Sequence, residues 1–167
     1  IVTPFDGNRK VDYKALKRQI DFQIENGTDA IVVCGTTGES ATLDSRERRQ
    51  IIKATVKQVN GRVPVIAGTG GNNTQDVIKK SQSAESFGVD ALLIVTPYYN
   101  KCSQEGLVEH YSRISDSVTK PIIVYNVPSR TGVNINPETY KRLSQIENVV
   151  ATKEANGDLS ALMKTMM

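Results

Sequence analysis

Lys153, Tyr125 and Arg130 are the side chains whose type and placement carry the most chemistry. Lys153 directly follows the apolar run Val149-Val150-Ala151-Thr152, so its side chain starts at the rim of a strand rather than on an outer helix. A lysine at a strand end is commonly a solvated rim residue. In an apolar mouth, though, the ammonium form is disfavoured and the neutral amine can attack a carbonyl carbon. Spacing alone does not choose between the two. Tyr125 closes the preceding apolar run, and neighbouring parallel strands lie about 4.8 Å apart, so its phenol is within reach of the lysine nitrogen or of a substrate on it. It reads either as a proton shuttle or as a packing residue with its hydroxyl at the surface. Arg130 lies in Pro128-Ser129-Arg130-Thr131-Gly132 and is the natural carboxylate clamp, since a guanidinium presents a planar fork of donors.

A second group follows an earlier run. Gly35-Thr36-Thr37-Gly38-Glu39 makes a tight loop whose glycines let backbone N–H groups face an anion, with the Thr36 and Thr37 hydroxyls as extra donors. A small carboxylate fits there, and a purely structural strand-to-helix turn fits equally well. The loop lacks the lysine of a Walker A loop and the GxGxxG spacing, so a nucleotide is poorly supported. His110, flanked by Glu109 and Tyr111 on a helix and away from every strand end, reads as a surface residue. No His, Cys or carboxylate cluster has metal-ligand spacing, which disfavours a zinc-dependent aldolase. Schiff-base chemistry needs no metal.

The elements that must hold these residues are legible from the apolar pattern. Ala30 to Cys34, Val63 to Ala67, Ala91 to Val95, Pro121 to Tyr125 and Val149 to Thr152 recur at roughly 30 residues, the size of a βα unit. Each run is nearly continuous and rich in Val and Ile, as in parallel strands covered on both faces. Between them lie helical periodicities: Tyr13, Leu16, Ile20, Ile24; Ile52, Val56, Val59; Val77, Ser81, Ala84, Phe87; Leu107, Tyr111, Ile114, Val118. Caps support them: Asp44 with Glu47, Ser103, and Asn136 ahead of Pro137. Gly27-Thr28-Asp29-Ala30 and Gly88-Val89-Asp90-Ala91 form a faint repeat that places glycine just past a helix end.

Strict βα alternation suits a doubly wound sheet or a (β/α)₈ TIM barrel. The regularity, and Ile1-Val2-Thr3-Pro4 read as the end of a first strand, favour the barrel. A closed barrel takes about 250 residues, so residues 1–167 read as the N-terminal and central part of one barrel domain, an incomplete barrel of six βα units. The absence of an initial methionine, and the helical pattern Leu162-Met163-Lys164-Thr165-Met166-Met167 without a stop signal, suggest truncation at both ends. In either topology the polar segments after the strands, including Thr96-Pro97-Tyr98-Tyr99-Asn100, gather at the carboxyl end of the sheet, where α/β proteins bind ligands.

Composition narrows the function classes. Lys and Arg number 21 against 18 Asp and Glu, a formal charge of +3, and the basic residues are scattered, so nucleic-acid binding gains little support. The densest cluster, Arg46-Glu47-Arg48-Arg49, reads as a solvated helix face. No apolar stretch approaches the roughly 20 residues of a membrane span. Cys34 and Cys102 are the only cysteines and form no CxxC pair, which suits a reducing cytoplasm.

Gly35-Thr36-Thr37-Gly38-Glu39-Ser40, Thr96-Pro97-Tyr98-Tyr99-Asn100, Tyr125-Asn126-Val127-Pro128-Ser129-Arg130-Thr131-Gly132 and Lys153-Glu154-Ala155, in that order along the whole chain, together closely resemble the dihydrodipicolinate synthase/N-acetylneuraminate lyase family. The resemblance implies a metal-independent class I aldolase with no cofactor, in which Lys153 forms an imine with pyruvate. It implies that Thr36 and Thr37 hold the pyruvate carboxylate, that Tyr125 is the general acid/base, and that Thr37, Tyr125 and Tyr99 form a proton relay. Tyr99 would come across a tight interface, implying a homo-oligomer, commonly a dimer of dimers. Ser129-Arg130-Thr131-Gly132 matches the synthase branch, in which the arginine binds the carboxylate of aspartate 4-semialdehyde. The implied product is 4-hydroxy-tetrahydrodipicolinate, a precursor of lysine and diaminopimelate. Two alternatives are another lyase of the superfamily acting on a sugar-derived 2-keto acid, which Arg130 opposes, and a non-catalytic carboxylate-binding barrel. The Lys153–Tyr125 combination opposes the second.

Overall fold

Each apolar run becomes a strand, and each intervening periodic segment a helix, in the computed structural model, which describes residues 1–166; Met167, the last residue of the helical pattern read at the C-terminus, lies outside them. Chain order is α1 (Tyr13–Glu25), β1 (Ile31–Val33), α2 (Ser45–Val59), β2 (Val65–Gly68), α3 (Thr74–Ser86), β3 (Ala91–Val95), α4 (Gln104–Ser115), β4 (Ile122–Asn126), α5 (Pro128–Thr131), α6 (Pro137–Leu143), β5 (Val149–Glu154) and α7 (Leu159–Met166). The five strands form one parallel sheet in the order β1-β2-β3-β4-β5. A doubly wound sheet reverses its strand order at a switch point. This one never does, so it is a section of a (β/α)₈ barrel.

The two faces of the sheet differ. On one, Ile31, Val33, Ala67, Leu92, Ile94 and Ile122 pack with helix residues such as Leu16, Ile20 and Ile51 in the main core. Val32, Ile66, Leu93, Val95, Ile123 and Tyr125 form a separate, smaller cluster. Strand residues alternate between faces, so Tyr125 belongs to the face turned away from the helices.

Local signals explain the boundaries. Asp44 and Glu47 form a reciprocal capping box on α2, and Ser103 caps α4 through the Gly106 N–H. Asn136 stands at the α6 cap position with Pro137 following, but its side chain makes no capping hydrogen bond. Gly27 and Gly88 sit just past α1 and α3 with φ of 84° and 85°, where a Cβ would be strained.

Three expectations change. Among the described residues Ile1 to Pro4 enter no ladder; the Ile1 nitrogen donates to Val32 O at 2.8 Å, and an isolated antiparallel bridge joins Phe5 and Val11. Helix α5 is additional, too short for a 3.6-residue period to register. His110 is not a surface residue. It is 4% exposed, its Nδ1 lies 2.9 Å from Thr74 Oγ1, and its ring meets Tyr111 edge-on. Its Nε2 has no partner among the described residues, and burial pushes the imidazole down to about 4. No helix among the described residues is long and apolar enough to cross a membrane.

Candidate active site

The register of the last two strands builds the centre of the site. β4 and β5 pair Tyr125 with Lys153 and Asn126 with Glu154. Lys153 Nζ lies over the Tyr125 ring, 3.8 Å from its centroid, a geometry in which the electron-rich ring face attracts a cation. Tyr125 is buried. Lys153 is exposed, at the edge strand of the described sheet. The enclosing apolar mouth in which a lysine amine would be desolvated is therefore absent among the described residues.

The loop after β1 is held by backbone geometry. Cys34 and Glu39 both take left-handed φ of 55°. The N–H groups of Gly38 and Glu39 donate back to Gly35 O and Thr36 O, and Thr3 Oγ1 donates to Gly38 O. The end of β2 presses against this loop so closely that a Cβ on Gly68 would sit 2.2 Å from Cys34 O. Burial also pushes the Cys34 thiol up to about 11, so it stays protonated. Thr36 and Thr37 are exposed, and among the described residues neither donates its N–H or hydroxyl to another group.

Arg48 does not belong to a solvated face. Half-buried, it donates to Ser40 O at 2.7 Å and Gly68 O at 3.2 Å, tying the loop after β1 to the end of β2. A cavity of about 490 Å³ opens beside it, lined by Thr36, Ser40, Arg48, Lys80, Tyr98 and Arg130 among others. Thr36, from the loop after β1, and Arg130, from α5, thus face one basic cleft. Thr37, Tyr125 and Lys153 do not line it. Tyr99 stands apart, 87% exposed with φ of 70°.

Behind Lys153, on the helix side of the strands, lies a polar cluster that neither periodicity nor motif spacing marks. The Glu154 carboxylate accepts from Asn126 Nδ2 at 3.0 Å, from Tyr140 OH at 2.6 Å, and from the N–H groups of Ala155 and Asn156 at 2.8 and 2.9 Å. Asn126 is fully buried. Its Nδ2 also donates to Asn134 Oδ1, and its Oδ1 accepts from Ile135 N–H. Burial first, and the Glu154 carboxylate second, raise the Tyr140 phenol well above its ordinary range, which keeps it a donor. A larger cavity of about 640 Å³ lies on this same side, between β5, α6 and α7, away from Lys153. No group of three or more His, Cys, Asp and Glu residues among those described is arranged to hold a metal ion.

Fold and site together define a class: a (β/α)₈ barrel section with a lysine stacked on a tyrosine at the carboxyl ends of adjacent strands, next to an arginine- and threonine-lined cleft. Within that class the chain belongs to the Dihydrodipicolinate synthetase family, whose profile matches residues 1–167. It is 54% identical over 165 residues to a 4-hydroxy-tetrahydrodipicolinate synthase of Clostridium novyi, covering 98% of this chain and 55% of that protein. It is 58% identical over 159 residues to one of Geobacter metallireducens, covering 95% and 54%. Among solved structures it resembles dihydrodipicolinate synthase from Aquifex aeolicus (TM-score 0.96, 46% identity, 99% of this chain and 57% of that one). It also resembles the chloride-inhibited enzyme of Acinetobacter baumannii complexed with pyruvate (TM-score 0.95, 47% identity, 96% and 55%). The chain thus spans little more than half the length of the relatives it matches.

Proposed function

We propose that the protein of which this chain is part condenses pyruvate with aspartate 4-semialdehyde through an imine on Lys153, giving 4-hydroxy-tetrahydrodipicolinate. The observation that carries this reading is the Lys153–Tyr125 stack: the amine and the phenol leave neighbouring strands at one point on the sheet, 3.8 Å between nitrogen and ring centre.

In this reading the neutral Lys153 amine adds to C2 of pyruvate, and loss of water gives the imine. Loss of a C3 proton gives the enamine, which attacks the aldehyde carbon of the second substrate as its oxygen takes a proton; the amine of that substrate then displaces Lys153 from C2, which closes the ring and frees the lysine. Tyr125 hands protons to and from these centres, with Thr37 and Tyr99 completing the relay. The unengaged donors of Thr36 and Thr37 suit the pyruvate carboxylate, and Arg130 suits that of the semialdehyde. Fixing both carboxylates lowers the entropic cost of bringing two small molecules together. Tyr99, exposed with a left-handed backbone, is assigned to contact with a second subunit in a dimer of dimers. One solved relative, 46% identical, is described as a monomeric variant, so assembly is a separate measurement, by sedimentation.

The chemistry is tested by incubating the full-length protein with pyruvate, reducing with borohydride and mapping the adduct, with Lys153→Ala as control. An adduct on the Lys153 peptide that is absent from the variant supports the reading. A folded full-length protein that never forms it, while a relative does so under the same conditions, leaves carboxylate binding without catalysis as the better description.

A further inference from the structure

We infer that Asn126 and Glu154 form a register clamp that decides which face of the sheet Lys153 leaves from, making both of them positioning residues; the inference rests on Lys153 being the reactive amine. The need for a clamp lies in an irregularity of β5. Ile122 pairs with Val149 but Ile123 pairs with Ala151, so Val150 is left without a partner. Such a bulge advances one strand by a residue relative to its neighbour. Were it ironed out, Tyr125 would face Thr152 and Asn126 would face Lys153. Because side chains alternate, that single step would send the lysine to the helix side.

Apolar burial does little to forbid the step. Val149, Val150 and Ala151 are apolar on successive positions, so this strand has no alternation of apolar and polar residues by which one register would be told from the next. What holds it is polar. In the observed register the Glu154 carboxylate meets four donor groups, from Asn126, Tyr140, Ala155 and Asn156. In the slipped register the lysine ammonium, itself only a donor, would meet the Asn126 amide and the Tyr140 hydroxyl, leaving buried donors unpaired. Asn126 cannot turn to suit it, because Ile135 N–H and Asn134 Oδ1 fix the orientation of its amide.

The pair can be exchanged without changing net charge. In Asn126→Asp with Glu154→Gln, the glutamine amide donates to the new carboxylate, Ile135 N–H still finds an acceptor, and Asn134 turns its amide to donate. Asn126→Asp alone sets carboxylate against carboxylate, and Glu154→Gln alone puts an amide nitrogen in place of one of the two oxygens that lie 3.0 Å from Asn126 Nδ2, donor beside donor at that position. The readout is the upfield ring-current shift of the Lys153 ε-methylene from the Tyr125 ring, followed by NMR on lysine-labelled chain and assigned with Lys153→Ala. It needs no pyruvate. The shift is expected in the wild type, lost in each single variant and regained in the double. Borohydride-trapped adduct formation is expected to fall about tenfold in the singles and return to within about threefold in the double, as for residues sharing one buried network. A single variant that keeps both shift and rate overturns the clamp, and so does a folded double variant that regains neither. If a single variant unfolds by circular dichroism, the double decides. Tyr140→Phe leaves the Asn126–Glu154 contact intact and should keep the shift; losing it would move the role to the phenol and overturn the assignment. A wild type with the shift but no adduct removes the amine reading and leaves the clamp to be judged on the shift alone.

Discussion

Acidification should destabilise this chain through His110 in a way that can be isolated from every carboxylate. The imidazole is buried with one nitrogen on Thr74 Oγ1 and the other without a partner among the described residues, and burial lowers its pKa to about 4 from an ordinary 6.5. Because the folded value is depressed, the unfolded chain binds the extra proton first as pH falls. Stability is therefore intact above about 6.5 and drains away toward 4. Working the two pKa values through linkage gives a loss of about 2 kcal/mol between about pH 7 and pH 4.5. His110→Asn keeps an amide near the Nδ1 position but cannot titrate. Urea unfolding of both proteins at the two pH values cancels the contribution of the acids. The wild type should lose about 1 M more in midpoint than the variant, for a slope of about 2 kcal/mol per M. If the two midpoints fall in parallel, His110 is solvated or partnered and the reasoning is wrong.

Other perturbations probe the loops. Gly68→Ala would place a Cβ 2.2 Å from Cys34 O; the backbone must part, and a cost of about 3 kcal/mol in chemical unfolding is expected. Arg48→Met keeps the buried stem but frees Ser40 O and Gly68 O. It should cost about 1–2 kcal/mol and speed amide exchange in residues 36–42. Arg130→Ala should leave the pyruvate adduct on Lys153 unchanged while raising the aldehyde concentration needed for condensation about tenfold or more in an active full-length protein, the loss expected for a charge-assisted pair. An equal loss of pyruvate adduct would mean that Arg130 serves the first substrate.

Much of the fold was legible because parallel strands buried on both faces leave continuous Val/Ile runs, and all five runs became strands within a few residues. Lys153, Tyr125 and Arg130 were legible as chemistry because they follow those runs. The rest depends on contacts between distant segments. Arg48 reads as surface beside Arg46, Glu47 and Arg49, and the approach of Ser40 O and of Gly68 O, eight and twenty residues away, gives it work. Glu154 reads as a loop residue because β5 continues past its apolar stretch. His110 did leave a trace: three residues after Leu107 and four before Ile114, it lies on the buried stripe of α4, and its charged neighbour Glu109 obscured that. The first residues read as a strand because their composition is that of one; β propensity carries no information about whether a partner strand lies alongside.

The two polar fastenings of the mouth predict different tolerances to sequence drift. Arg48 grips two main-chain carbonyls, which every amino acid supplies, so the residues at positions 40 and 68 can change in polarity or charge without loosening that tie, within the steric limit at 68. The carboxylate of Glu154 is matched to the amide at 126, so a change at either strands the other. One end of the site is free to vary residue by residue, whereas the end beneath Lys153 can change only in concerted steps.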